Sequence, residues 1–231
     1  NKGVTEEDLM SKVSDAFHGG WSSVKLYFMM GLPTETTEDL DGIADLAKKV
    51  VDAYFAVPRG ERAKGLRVVC SASVFVPKPF TPFQWEPQDT QEMVREKQSH
   101  LREKLRIKGV TFNYHESDLS YLEACFARGR RMGQVLLRAY QKGCMLDGWT
   151  ELFKYDMWRE AFAELGIDPA FYAYRRREKD EIMPWDVIDC GVTKEFLWRE
   201  KEKAEKATKD CRKGCNGCGL QRFKGVCKYC G

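Results

Sequence analysis

Five cysteines fall within the last twenty-one residues of this 231-residue chain, spaced Cys211-x3-Cys215-x2-Cys218-x8-Cys227-x2-Cys230. Two pieces, Cys215-Asn216-Gly217-Cys218-Gly219 and Cys227-Lys228-Tyr229-Cys230-Gly231, repeat one CxxCG element. Two thiolates three residues apart on a tight turn can face one metal ion. The glycine after each pair permits a positive φ, which turns backbone N–H groups toward sulfur. Two such knuckles across a short hairpin give a tetrahedral zinc site with four cysteine ligands. Cys211 is surplus to that set, and Cys211-x3-Cys215-x2-Cys218 also suits an iron–sulfur cluster. The repeated element favours zinc, and both readings stay open.

The remaining cysteines, Cys70, Cys125, Cys144 and Cys190, stand singly in apolar contexts and read as small core residues of a reducing compartment, so a cytoplasmic protein is expected. No apolar run approaches the length of a bilayer span, and no membrane partner is expected. Net charge is +3, but residues 201–231 hold nine Lys/Arg against three Asp/Glu. Such a basic tail fits an RNA or ribosomal partner as well as a solvated surface. The chain starts at Asn1, and Asn1-Lys2-Gly3 reads as the interior of a longer protein.

Apolar spacing supplies the elements. Residues 5–18 form an amphipathic helix with Thr5 and Asp8 at its start and Gly19-Gly20 at its end. Residues 24–30 are almost wholly apolar, as in a strand of a parallel sheet buried on both faces. Residues 31–36 turn, and Thr36 or Thr37 caps a helix with Leu40, Ile43, Ala44, Ala47, Val50, Val51 and Tyr54 on one face. Residues 66–76 form a second buried strand, and strand, helix and strand make a right-handed βαβ unit. Helices follow over 91–108, over 117–142 with a break near Arg128-Gly129, over 149–165, after Asp168-Pro169, and over 193–206. In the first of these Met93, Val94, Leu101 and Leu105 face inward. Residues 110–115 form a short strand. The aromatic residues of 149–198 are the core of a helical domain. The clusters Arg128, Arg130, Arg131 and Arg175-Arg176-Arg177 read as solvated basic patches.

The segment from Lys25 to Leu40, KLYFMMGLPTETTEDL, carries the second signal. Gly31 lets the chain leave the strand with no side chain in the way, Pro33 fixes the turn, and Glu35 sits at the strand's C-terminal edge. In α/β barrels that edge is where loops build the site. The turn GLPTET at 31–36 resembles the GLPGET-type turn after the fifth strand of the partial barrel of radical S-adenosylmethionine enzymes. The strand 68–76 followed by Pro77-Lys-Pro-Phe-Thr-Pro82 resembles their sixth strand and its exit. The pair is similar to the branch that includes methylthiotransferases and cobalamin-binding members. Residues 1–9, 25–29, Phe126-Ala-Arg-Gly129, Pro184-Trp185 and Asp210-Cys-Arg212 resemble an uncharacterised bacterial family within it. After Ala127-Arg128-Gly129 that family leads one to expect an acid, and this chain has Arg130.

The resemblance implies the last part of a (β/α) partial TIM-type barrel over 1–89, an α-rich accessory domain over 90–206 and a Cys-rich metal knuckle over 207–231. It implies an enzyme dependent on S-adenosylmethionine and a 4Fe-4S cluster whose CxxxCxxC ligands lie upstream of this chain, in a missing N-terminal part. Gly31, Pro33 and Glu35 would lie near S-adenosylmethionine, and Ser73 and Phe75 would point toward its adenine. The C-terminal cysteines follow the barrel strands, so they would hold structural zinc or an auxiliary cluster and not the radical-generating one. The substrate stays open, RNA or ribosome modification being one class. A non-catalytic zinc-knuckle module that binds RNA or protein on an α/β scaffold is the competing reading. His18, His100 and His115 are isolated, and no nucleophile–base pair stands out.

Overall fold

The computed structural model describes residues 4–204, 206, 210–223 and 225–228. The chain forms two compact units, Asn1–Phe75 with Asp89–Ser120, and Val76–Gln88 with Tyr121–Gly231. The sheet unit therefore takes in residues 91–115, which the sequence placed with the helical domain.

Helix α1 (Glu6–His18) opens on a complete capping box: Thr5 accepts from the Asp8 N–H, and the Asp8 carboxylate accepts from the Thr5 N–H. Strand β1 (Ser23–Met30) leads to α2 (Thr37–Ala56), capped in the same way by Thr36 and Asp39. Strand β2 (Arg67–Val74), α3 (Gln91–Lys104) and β3 (Val110–Tyr114) complete the unit. The cap of α2 stabilises it by about 1 kcal/mol. A buried Val or Leu contributes about 1.5–3 kcal/mol each, so the face of α2 that buries Leu40, Ile43, Val50, Val51 and Tyr54 dominates.

The three strands are parallel in the order β1-β2-β3, with Val24 opposite Val68 and Val68 opposite Val110. The third strand extends the expected pair. Leu26, Met30, Val68, Cys70, Ala72 and Val74 share one core with Val13 and Phe17 of α1, the apolar face of α2, and Val94 and Leu101 of α3. All three helices thus cover one face of the sheet. On the other face Lys25, Tyr27 and Met29 are exposed, Tyr27 by 74%. Strand β1 is therefore not buried on both faces. Its burial alternates with period two because helices pack on one side only. Met93 also departs from expectation and is exposed, since Val94, Gln98 and Leu101 make the inward face of α3.

In the second unit α4 (Ser117–Arg128), which begins in the sheet unit, continues to α5 (Met132–Gln141), α6 (Tyr155–Glu164), α7 (Pro169–Ala173) and α8 (Lys194–Glu202). Residues 149–154 are not helical; the helix expected from 149 starts at Tyr155. Trp158, Phe162, Val135, Met132 and Cys125 pack in one cluster, and Trp85, Met183, Trp185 and Leu197 in another.

Two of the arginines expected in solvated patches are buried. Arg128 donates from Nη1 to the Glu86 carbonyl and from Nη2 to the Arg175 carbonyl at 2.8 Å. Arg177 donates from Nη2 to the Arg128 carbonyl at 2.7 Å and lies over the Trp185 ring. Burial pulls the Arg128 guanidinium down to about 10. Glu86 is buried too, between Arg176 and Lys201, each at 2.7 Å. Gly129 fits where nothing larger does: a Cβ there would stand 2.5 Å from Met132 Cγ and 2.7 Å from the Cys125 carbonyl oxygen. Arg130 is exposed. No helix among the described residues is long and apolar enough to cross a membrane.

Candidate functional site

The C-terminal ends of β1 and β2 meet at one edge of the sheet. Met29 stands opposite Ser73, and the Phe75 N–H donates to the Met30 carbonyl at 2.8 Å. The structure thus brings Gly31, Pro33, Glu35, Ser73 and Phe75 to neighbouring strand ends. Residues 32–35 form a type II turn, closed by the Glu35 N–H on the Leu32 carbonyl at 3.0 Å, with Pro33 second and Thr34 third at φ 69°. The third place of that turn asks for glycine. Here a β-branched residue holds it, at a cost of about 1–2 kcal/mol. The GLPGET pattern has glycine at that position.

Gly31 has φ 80°, and a Cβ there would lie 3.0 Å from Asp89 Oδ2. Its N–H donates to both carboxylate oxygens of Glu35 at 2.9 Å. Lys97 of α3 donates to Glu35 Oε1 at 2.7 Å and pairs with Asp89 Oδ2 at 2.8 Å. Burial lowers the Lys97 ammonium, and the hydrogen bonds to Asp89 and Glu35 more than offset this, so it stays protonated above its ordinary value. The Glu35 side chain is 6% exposed. Its oxygens are already committed to Gly31 and Lys97, which makes it a clamp on the turn. Ser73 Oγ donates to the Phe28 carbonyl at 3.3 Å, and Phe75 is buried. Sequence reasoning missed Lys97 and Asp89. Their only local signal is the cap at Thr90, which starts α3 beside Asp89.

In the cysteine segment two N–H donors face sulfur. Gly217 N–H points at Cys215 Sγ at 3.4 Å, with Gly217 at φ 65° and Gly219 at φ 112°. Asn216 Nδ2 donates to Cys211 Sγ at 3.4 Å. These donors suit thiolate sulfur. The Thr193 N–H donates to the Cys218 carbonyl at 2.8 Å, Arg199 to the Gly217 carbonyl at 3.2 Å, and Arg222 pairs with Asp189 at 3.1 Å. A Cβ on Gly219 would stand 2.8 Å from the Gly191 carbonyl oxygen, so this turn needs glycine for close packing. Among the described residues no three His, Cys, Asp or Glu side chains are placed to hold one ion. Cys230 lies outside the described residues. Cys70, Cys125 and Cys144 are buried, and desolvation pushes the Cys70 thiol up to about 11 and Cys125 up to about 12. Cys190 is exposed, not a core residue, because its segment runs along the surface against residues 218–222.

No protein-family model matches the chain, and no solved structure does. An uncharacterised protein of Methanocaldococcus jannaschii is 30% identical over 128 residues, 55% of this chain and 26% of that protein. The chain therefore spans about a quarter of the length of the curated relative it matches.

Proposed function

We propose that this chain supplies closing βα units of a partial (β/α) barrel in a radical S-adenosylmethionine protein, with the 4Fe-4S ligands in an upstream part. The observation that carries this reading is the sheet: three parallel strands in sequence order, the three helices α1–α3 of the same unit on one face, and a glycine turn at the C-terminal edge. Successive barrel units put their helices on one face, as does one half of a doubly wound sheet before its strand order reverses, so the sheet is compatible with this reading and the glycine turn tips it toward the barrel. Three strands do not close a barrel, and Lys25, Tyr27 and Met29 on the helix-free face suit the inside of one.

In this reading Gly31, Pro33, Ser73 and Phe75 border the cofactor, and Glu35, held by Lys97, is a positioning residue that keeps the Gly31 turn in place. The cluster and S-adenosylmethionine supply the radical chemistry when bound, and the protein orients them and excludes water. The test is anaerobic purification of the full-length protein, with iron, sulfide and zinc quantified per chain and S-adenosylmethionine cleavage assayed under reduction. Iron and sulfide with reductive cleavage is the expected result. A full-length protein with neither overturns the reading.

The contact from the Gly217 amide to the Cys215 sulfur favours a second reading, a zinc-knuckle module that binds RNA or protein on an α/β scaffold. It predicts zinc alone, lost with Cys215→Ser, and no cleavage. Under the first reading the knuckle holds zinc or an auxiliary cluster, and Cys211→Ser separates these: a zinc site tolerates it and a cluster ligated by Cys211 does not.

A further inference from the structure

A cavity of about 440 Å³ opens in the second unit beside the start of α8. That volume is in the range of small-molecule sites. Phe80, Trp185, Ile188, Val192 and Leu197 give it apolar and aromatic walls. Its buried polar group is Gln84, 2% exposed.

Gln84 organises both aromatic walls. Its Oε1 accepts from the Phe80 N–H at 3.1 Å and from the Trp185 indole Nε1 at 2.8 Å. Its Nε2 makes no hydrogen bond to a described residue and is reached by solvent, so the amide that lines the cavity keeps donor capacity for a ligand. Phe80 has φ 58°, a strained conformation for a bulky residue, and it is held there by Gln84. Such outliers persist where the surroundings impose them, and they gather at ligand sites. Arg177 lies over one face of the Trp185 ring, 5.3 Å from its centroid.

The charges at the walls are largely paired. Lys194 meets Asp186 at 2.7 Å, Arg222 meets Asp189 at 3.1 Å, and Glu195 is exposed at the rim. An ionic ligand would have to break these pairs. A purely aliphatic one would leave the Gln84 donors without an acceptor, at about 1–3 kcal/mol.

We propose that this cavity binds a neutral planar heteroaromatic of nucleobase class, packed against the Phe80 and Trp185 rings, with a carbonyl or ring nitrogen accepting from Gln84 Nε2. Bases are read in this way elsewhere, by aromatic packing and hydrogen bonds to their edges. The inference does not rest on the cofactor reading above. The base can come free or within a single strand.

The test is titration of the full chain with adenosine, guanosine, cytidine and uridine, followed by calorimetry and ligand-observed NMR. At least one nucleoside binds saturably, with Kd between about 1 µM and 1 mM. Gln84→Glu keeps the acceptor that Phe80 and Trp185 use and removes the donor; it weakens binding at least about tenfold. Ile188→Trp, at an exposed position of the wall, fills the cavity and abolishes binding without touching the core. It decides the matter if Gln84→Glu does not fold. A mixed-sequence RNA oligonucleotide competes with the nucleoside if the base comes within a strand, and does not if the ligand is free. No saturation up to about 10 mM for all four nucleosides overturns the proposal. So does unchanged affinity in folded Ile188→Trp, and so does oligonucleotide binding that falls steeply with salt while nucleosides neither bind nor compete.

Discussion

In the sheet unit the deeply buried charged side chain described is that of Glu35 at the strand ends, while the helical unit buries Arg128, Arg177 and Glu86 together with Gln84 and Gln88. The first unit is held by hydrocarbon at helical and strand spacing; its buried ion pair, Lys97 with Glu35, stands at the strand ends, and its other pairs, such as Lys48–Asp52 and Lys49–Glu6, are exposed on the helices. The second unit has loops to secure, and it secures them with guanidinium groups aimed at backbone carbonyls. A repeating sheet satisfies its own backbone groups. A chain of short helices and turns leaves carbonyls that need a donor from elsewhere.

The largest effect expected from this contrast is at Arg128. Arg128→Met removes donors from two carbonyls and should destabilise the helical unit by about 3 kcal/mol, whereas exposed Arg130→Ala should change stability by less than about 0.5 kcal/mol. Tryptophan fluorescence in a denaturant titration reads this unit selectively, since five of the six tryptophans lie in it. Equal effects at the two arginines would break the comparison.

Gly129→Ala comes next, at about 2 kcal/mol, because the new methyl meets the Cys125 carbonyl as well as Met132. A shift in the denaturation midpoint near zero would mean that the Arg128-Gly129 corner can relax.

In the sheet unit the expected sign reverses. Thr34→Gly relieves a positive φ and should stabilise by about 1 kcal/mol, read as a higher melting temperature. A lower one would show that the turn does not need its left-handed residue.

The smallest effect is the pH dependence of Glu181. The Arg175 guanidinium, at 2.6 and 2.7 Å, holds this carboxyl below its ordinary value of 4.5. A depressed folded value adds stability that is complete above the ordinary value and lost as pH falls through the folded one. Both partners are partly exposed, so Glu181→Gln should lower stability near neutral pH by less than about 1 kcal/mol and flatten the acid limb by the same amount, the two proteins converging at low pH. An unchanged acid limb in an otherwise stable variant would contradict this.

What was legible in the sequence follows the same division. The capping boxes at Thr5 and Thr36, the apolar face of α2 and the pairing of β1 with β2 are local or periodic features, and they can be read directly. The run at 24–30 misled on burial, because Tyr27 and Met29 look like core residues and only the one-sided helix packing exposes them. Arg128 and Arg177 look like surface charges because their partners are carbonyls 42 to 49 residues away in sequence. At the strand ends the glycine turn was legible and its clamp was not, since Lys97 reaches Glu35 across 62 residues. Gly31→Val is no specific probe of cofactor binding, because it would also strain the fold through its positive φ and its approach to Asp89.

The most direct measurement of the central claim is therefore made on the unaltered full-length protein: hydrogen–deuterium exchange under anaerobic conditions, with and without S-adenosylmethionine. The account predicts slower exchange on cofactor addition in peptides covering residues 30–36 and 73–76, with little change in α6 and α8. Unchanged exchange at both strand ends, in a preparation shown to bind the cofactor, would contradict it.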